Sequence, residues 1–208
     1  VVHLRKFFEV VQLDKLSNEN LLPCIACRRL SITEKSDFAL IAWVQEAKLE
    51  ARKVQTMPID LKELTKQLPT IRAMTTKDPA VFCSELCKLL ANCGIVLVFL
   101  PHIGGSFLHG ATFIDNNKIV MGLTVRGKDA DKFWFSLFHE IGHILLGHLN
   151  RNGEIDDAAE KEADSFARDV LIPQSAFDSF VAQHNFSQEA IICFASSAGI
   201  APGIVVGR

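Results

Sequence analysis

The sequence predicts an α+β fold in which a small three-stranded sheet precedes two consecutive helices. Three observations point to it. Residues 95–123 hold short apolar runs rich in β-branched residues and divided by turn residues. Elsewhere the apolar residues recur at helical spacing. From 133 to 171 two helical patterns follow one another, the first apolar almost throughout and the second acidic at its start. The chain has 208 residues, 49% of them hydrophobic, enough for one mixed domain or one domain with an appendage.

Residues 1 to about 75 read as helical and polar on one face. The chain begins with Val1 inside a helical pattern, Val1-Val2-His3-Leu4-Arg5-Lys6-Phe7-Phe8, which suggests a fragment of something longer. Ser36 to Arg52 is the clearest helix of this part, with Phe38, Leu40, Ile41, Trp43, Val44, Ala47 and Leu49 on its apolar side. Pro58 and Pro69 are expected to break it from two short segments around Leu61, Leu64 and Leu68. Asp78-Pro79 opens a helix through Leu90 that ends near Gly94. Strands are expected at Ile95 to Leu100, at Leu108 to Ile114 after a Gly104-Gly105 loop, and at Ile119 to Leu123 after an Asp115-Asn116-Asn117 turn. The last two should form a hairpin. Asp129 or Asp131 can cap the helix that follows. Asp156 to Pro173 is the acidic amphipathic helix, closed by the proline. Gln174 to His184 and Ser187 to Ala198 read as two more helices, Gly199 stopping the second, and Pro202-Gly203-Ile204 starts another. The division this suggests is a helical N-terminal segment, 1–78, and a second domain, 79–208.

Within the apolar helix stands His139-Glu140-Ile141-Gly142-His143, an H-E-x-x-H motif flanked by Phe133 to Phe138 and Ile144 to Leu146. Helical positions four apart lie about 40° from each other around the axis, so both imidazoles leave from one face. Two histidines so placed can hold one Zn²⁺, with Glu140 as a general base toward an activated water. Two histidines and a glutamate in a greasy helix are costly to bury, and a bound metal resolves that cost. The chemistry this predicts is hydrolysis of an amide bond.

A catalytic zinc needs a third protein ligand and an open position. A downstream histidine of the H-E-x-x-H-x-x-G-x-x-H type is excluded, because Leu146 and Leu149 occupy those positions. His148 falls on another face and reads as a histidine welcomed at a helix C-terminus. In the acidic helix Glu160 shares a face with Ala163 and Ala167, whereas Glu162 points with Ser165 and Asp169 toward solvent. Glu160 is therefore the expected ligand, with Glu162 in reserve. Asp164 is placed to accept a hydrogen bond from the far nitrogen of a ligating histidine. The chain has no Tyr, so a tyrosine cannot stabilise an oxyanion; His102 and His109, before the hairpin, are the candidates.

Six cysteines are present. Cys24 and Cys27 form a C-x-x-C, and Cys83 and Cys87 lie one helical turn apart. They read as reduced, mostly buried thiols. With no signal peptide and no apolar run of membrane-spanning length, a cytoplasmic setting without membrane contact is expected. A formal net charge of −2 gives no footprint for nucleic acid. An edge strand beside the metal would accept an extended polypeptide as a further strand, which makes a protein or peptide the expected substrate.

The stretches His139 to His148, Glu160 to Ala167 and Leu171-Ile172-Pro173 together resemble the ImmA/IrrE family of bacterial metallopeptidases. Asp131 to Phe138 and the tail Gly199 to Arg208 are similar to its subgroup fused to a Cro/repressor-type helix-turn-helix. The resemblance implies a zincin-like, gluzincin core with His139, His143 and Glu160 on zinc and Glu140 as base. It implies cleavage of a regulatory, repressor-type protein. The alternative it leaves open is a non-enzymatic metal-binding sensor or regulatory domain of a helix-turn-helix regulator or antitoxin. Contact with DNA would then run only through an N-terminal helix-turn-helix outside this sequence; the oligomeric state stays open.

Overall fold

The computed structural model describes residues 1–13, 34–103, 110–124, 129–150 and 157–208, with side chains left out at 34–37 and 150. These residues form nine α-helices and one three-stranded mixed sheet, an α+β arrangement. In chain order the helices are α1 (Val2–Phe8), α2 (Glu34–Arg52), α3 (Leu61–Ala73) and α4 (Pro79–Asn92). The strands β1 (Ile95–Leu100), β2 (Gly110–Asp115) and β3 (Lys118–Thr124) follow. After them come α5 (Ala130–Leu145), α6 (Asp157–Leu171), α7 (Gln174–Val181), α8 (Gln188–Ala198) and α9 (Pro202–Gly207).

The strand order is β1-β3-β2. β2 and β3 form the antiparallel hairpin, with Phe113 opposite Val120, turning through Asn116 and Asn117 at positive φ. β1 pairs with β3 in parallel, Leu97 opposite Met121. That leaves β2 on an edge of the described sheet. Successive side chains in a strand point to opposite faces, and both faces are covered here. Ile95, Leu97, Ile119, Met121 and Leu123 pack with α3, α4, α5 and α6 in the larger core. Val96, Val98, Leu100, Ala111, Phe113 and Val120 pack against Leu40, Trp43, Val44 and Ala47 of α2. The strands of a sheet buried on both faces read as continuous apolar runs, as Ile95 to Leu100 does.

Capping is where local sequence sets the boundaries. The Asp60 carboxylate accepts from the Glu63 N–H at 2.9 Å and starts α3. Asp78 accepts from the Ala80 N–H at 2.8 Å, with Pro79 just inside α4. Ser187 caps α8 and Gly199, in the left-handed region, ends it.

Three local expectations need correction. Pro69 does not break its helix; it sits exposed inside α3. Its missing N–H and ring clash cost roughly 3 kcal/mol. The fully buried Leu64 and Ile71 on either side offset that, at roughly 1.5–3 kcal/mol each. Asp129 takes the N-cap position of α5 without a side-chain cap bond, because Lys132 holds its carboxylate at 2.6 Å. Of the described cysteines only Cys93 is buried; Cys83 and Cys87 are half-buried and Cys193 is exposed. Cys24, Cys27 and the Gly104-Gly105 loop lie outside the described residues. Among the described residues, no helix is long and apolar enough to cross a membrane.

Candidate metal centre

α5 is buried from Leu137 to Ile144, so His139, Glu140 and His143 enter the core with their apolar neighbours. α6 crosses this helix where both are thin. A Cβ added to Gly142 would come within 3.2 Å of the Ala163 Cα and 3.1 Å of the Phe166 ring. The pairing of glycine with alanine therefore sets how close the helices come, and it delivers Glu160 to the histidines. Glu160 Oε2 lies 3.4 Å from His139 Nε2, and Oε1 lies 3.4 Å from His143 Nε2. The two Nε2 atoms are 3.0 Å apart.

These separations suit a metal. A tetrahedral ion with ligand bonds of about 2.0–2.1 Å spaces neighbouring donor atoms roughly 3.3 Å apart. One donor atom each from His139, His143 and Glu160 fits within 4.8 Å of the others. Among the described residues both Glu160 oxygens are buried without a hydrogen-bond partner, a costly state for a carboxylate unless a cation serves it. Burial acts to raise the Glu160 pKa, but the two imidazoles against its oxygens hold it down at about 2. Burial opposes charge on His139 as well, yet Glu160, Glu140 and Asp164 together push its pKa up. The surroundings thus favour positive charge at this point.

Glu140 sits beside the triad and beneath the edge strand. The Thr112 hydroxyl of β2 donates to its Oε2. Burial pushes the Glu140 carboxyl above the ordinary carboxylate range, though both histidines pull the other way. The same side chain lines a cleft of about 470 Å³, with Gly110, Phe135, His139, Asp164 and Arg168 around it.

Behind His139 stands Asp164, whose Oδ1 accepts from Nδ1 at 2.9 Å. Behind His143 stands His148, and this corrects its reading as a histidine of the helix end. α5 stops at Leu145, Gly147 turns the chain at φ +75°, and a 3₁₀ turn from His148 to Asn150 follows. His148 is thereby carried back beneath His143, 2% exposed, with the two Nδ1 atoms 2.9 Å apart. Its Nε2 lies 3.0 Å from Glu162 Oε2. Glu162 keeps its outward position, its side chain 56% exposed, and stands apart from the triad. Thr112 is a further residue that the sequence did not single out, and a lone threonine in a strand carries no signal that could have found it. His102 does not line the cleft, and its Nδ1 is buried without a hydrogen-bond partner among the described residues. His109 lies outside the described residues.

No curated protein matches the chain. A family model described as Peptidase_M78, IrrE N-terminal-like domain, matches residues 96–197. The matched segment runs from β1 into α8 and contains the H-E-x-x-H helix, Glu160 and the hairpin that covers Glu140. Residues 96–197 thus carry the peptidase domain of the ImmA/IrrE family.

Proposed function

We propose that this chain is a zinc-dependent endopeptidase that cuts an extended segment of a regulatory, repressor-type protein. One observation carries the reading: His139, His143 and Glu160 converge within 4.8 Å beside a buried Glu140 that opens on a cleft. Two histidines of one helix and a glutamate of the next make a gluzincin-type ligand set, and a peptidase family fits it.

When bound, the metal supplies an activated water at neutral pH and polarises the scissile carbonyl. Glu140 acts as the general base and then returns the proton to the leaving amine. Its raised pKa suits that exchange, since a base works best with a pKa near the operating pH. Thr112 occupies Oε2 and leaves Oε1, the oxygen next to Gly110, for the proton transfer. The edge of β2 offers backbone groups to a substrate laid alongside as a further strand, which brings its peptide bond past Glu140. A cytoplasmic setting belongs to the proposal and rests on the cysteine pattern.

The test is incubation of the zinc-loaded protein with a candidate repressor, beside the Glu140→Gln variant. The variant should keep its zinc by elemental analysis and lose at least about 100-fold in cleavage rate. Full activity in Glu140→Gln would rule the mechanism out. No cleavage by the wild type of any repressor or peptide mixture, with zinc bound, would favour a metal-binding regulatory domain instead.

A further inference from the structure

The two histidines of the triad are supported from behind in different ways. His139 Nδ1 meets a carboxylate directly, Asp164 Oδ1 at 2.9 Å. His143 meets two groups in series: His148 Nδ1 at 2.9 Å, and beyond it Glu162 Oε2, 3.0 Å from His148 Nε2. His143 and His148 are both buried, so water does not substitute readily for either contact.

Two Nδ1 atoms bond to one another only if one bears a proton and the other does not. The front of His143 decides which. Its Nε2 faces Glu160 Oε1 and His139 Nε2. That nitrogen can give its lone pair to a metal only when the imidazole proton sits on Nδ1. His143 Nδ1–H then donates to His148 Nδ1. The His148 proton must therefore be on Nε2, where it donates to the Glu162 carboxylate. Every polar atom in the chain has a matching partner. The opposite arrangement fails twice over: it aims an N–H of His143 at the metal position, and it sets the His148 Nε2 lone pair against a carboxylate.

We infer that His148 and Glu162 form a relay that locks the tautomer and orientation of His143 and so sets the metal affinity of the centre. They are positioning residues, acting through His143. The inference rests on the proposed ligand role of His139, His143 and Glu160. It extends the direct carboxylate–histidine support seen at His139 by one imidazole, so that the charge sits on an exposed glutamate of α6.

Outer partners of this kind are worth about 10- to 100-fold in metal affinity. The experiment is a chelator-competition measurement of the zinc dissociation constant for the wild type, His148→Phe, His148→Gln, Glu162→Gln and Glu162→Ala. His148→Phe should weaken binding within that range. His148→Gln should recover most of the loss, because its amide oxygen can accept from His143 and its amide nitrogen can donate to Glu162. Glu162→Ala should weaken binding by about tenfold and Glu162→Gln by less. A second readout does not depend on affinity: in the zinc-loaded protein, ¹⁵N shifts of the imidazoles should show Nδ1–H on His143 and Nε2–H on His148. A wild type that takes up no zinc would sink the ligand assignment itself. Zinc-binding wild type with equal affinity in His148→Phe, or no recovery in His148→Gln, would overturn the relay alone. Should His148→Phe fail to fold, the exposed Glu162 variants decide, and unchanged affinity in both overturns the inference.

Discussion

Glu140 is a buried carboxyl at the floor of the cleft, 3% exposed, with the Thr112 hydroxyl on one of its oxygens. Its raised pKa has a consequence for stability in the absence of metal. A carboxyl whose folded pKa lies above its unfolded value binds more protons when folded. Stability then falls as pH rises from the unfolded pKa through the folded one, and below the unfolded pKa nothing is lost. Glutamine keeps an oxygen for the Thr112 hydroxyl and cannot ionise. Metal-free Glu140→Gln should therefore be more stable than the wild type at pH 7, by on the order of 1 kcal/mol, with the gap closing toward pH 4. Urea unfolding at the two pH values measures it, and a gap that is absent at pH 7 or constant across the range would contradict the buried-charge account. Glu140 was legible in the sequence because its position depends only on helical spacing within a single run. His148 was not, because its position depends on the turn at Gly147, and spacing on an ideal helix places it elsewhere.

Between elements, the centre depends on the closeness of α5 and α6. Neither helix holds the site alone: His139 and His143 come from one, Glu160 from the other. Their distance is fixed at Gly142, which faces Ala163 and Phe166. Gly142→Val puts a branched side chain where a Cβ alone would already lie 3.1–3.2 Å from Phe166 and Ala163, so the helices have to shift apart. We expect a destabilisation of about 1–3 kcal/mol from overpacking, offset only by the few tenths of a kcal/mol, roughly, by which valine exceeds glycine in helix propensity. The larger effect should fall on zinc, with affinity reduced at least about tenfold as Glu160 withdraws. Thermal melting of the metal-free protein and chelator competition separate the two effects; wild-type zinc affinity in Gly142→Val would show that the crossing does not set the ligand distance. The same scale marks what sequence could convey about the elements. The helices and the hairpin follow from local periodicity and turn residues. The parallel pairing of β1 with β3 joins segments more than twenty residues apart, and nothing near either strand specifies it. Pro69 shows the converse, a strong local signal overruled by the burial of Leu64 and Ile71.

For the whole molecule, the sheet divides the described residues into two cores, and the proposed metal sits in only one of them. α5 and α6 belong to the larger core, while α2 covers the opposite face of the strands. A metal bound across α5 and α6 ties two consecutive helices that are otherwise joined through residues 146–156. Ligand that binds only the folded state stabilises it by RT ln(1 + [L]/Kd), about 4 kcal/mol at a thousandfold excess over Kd. For a chain of this size that raises Tm by roughly 8–16 °C. Hydrogen exchange should show where the stabilisation resides. Opening of α6 away from α5 would break the proposed ligand set, so bound zinc should suppress it and slow exchange in both helices. Local opening of α2 leaves the ligand set intact, so its amides should exchange at nearly the same rate with and without zinc. Exchange measured by mass spectrometry before and after chelation distinguishes the possibilities. Equal slowing in α2 and in α5 and α6 would mean that the two cores open as one cooperative unit. Slowing in α5 without α6 would remove Glu160 from the ligand set, and the third donor would have to come from another element.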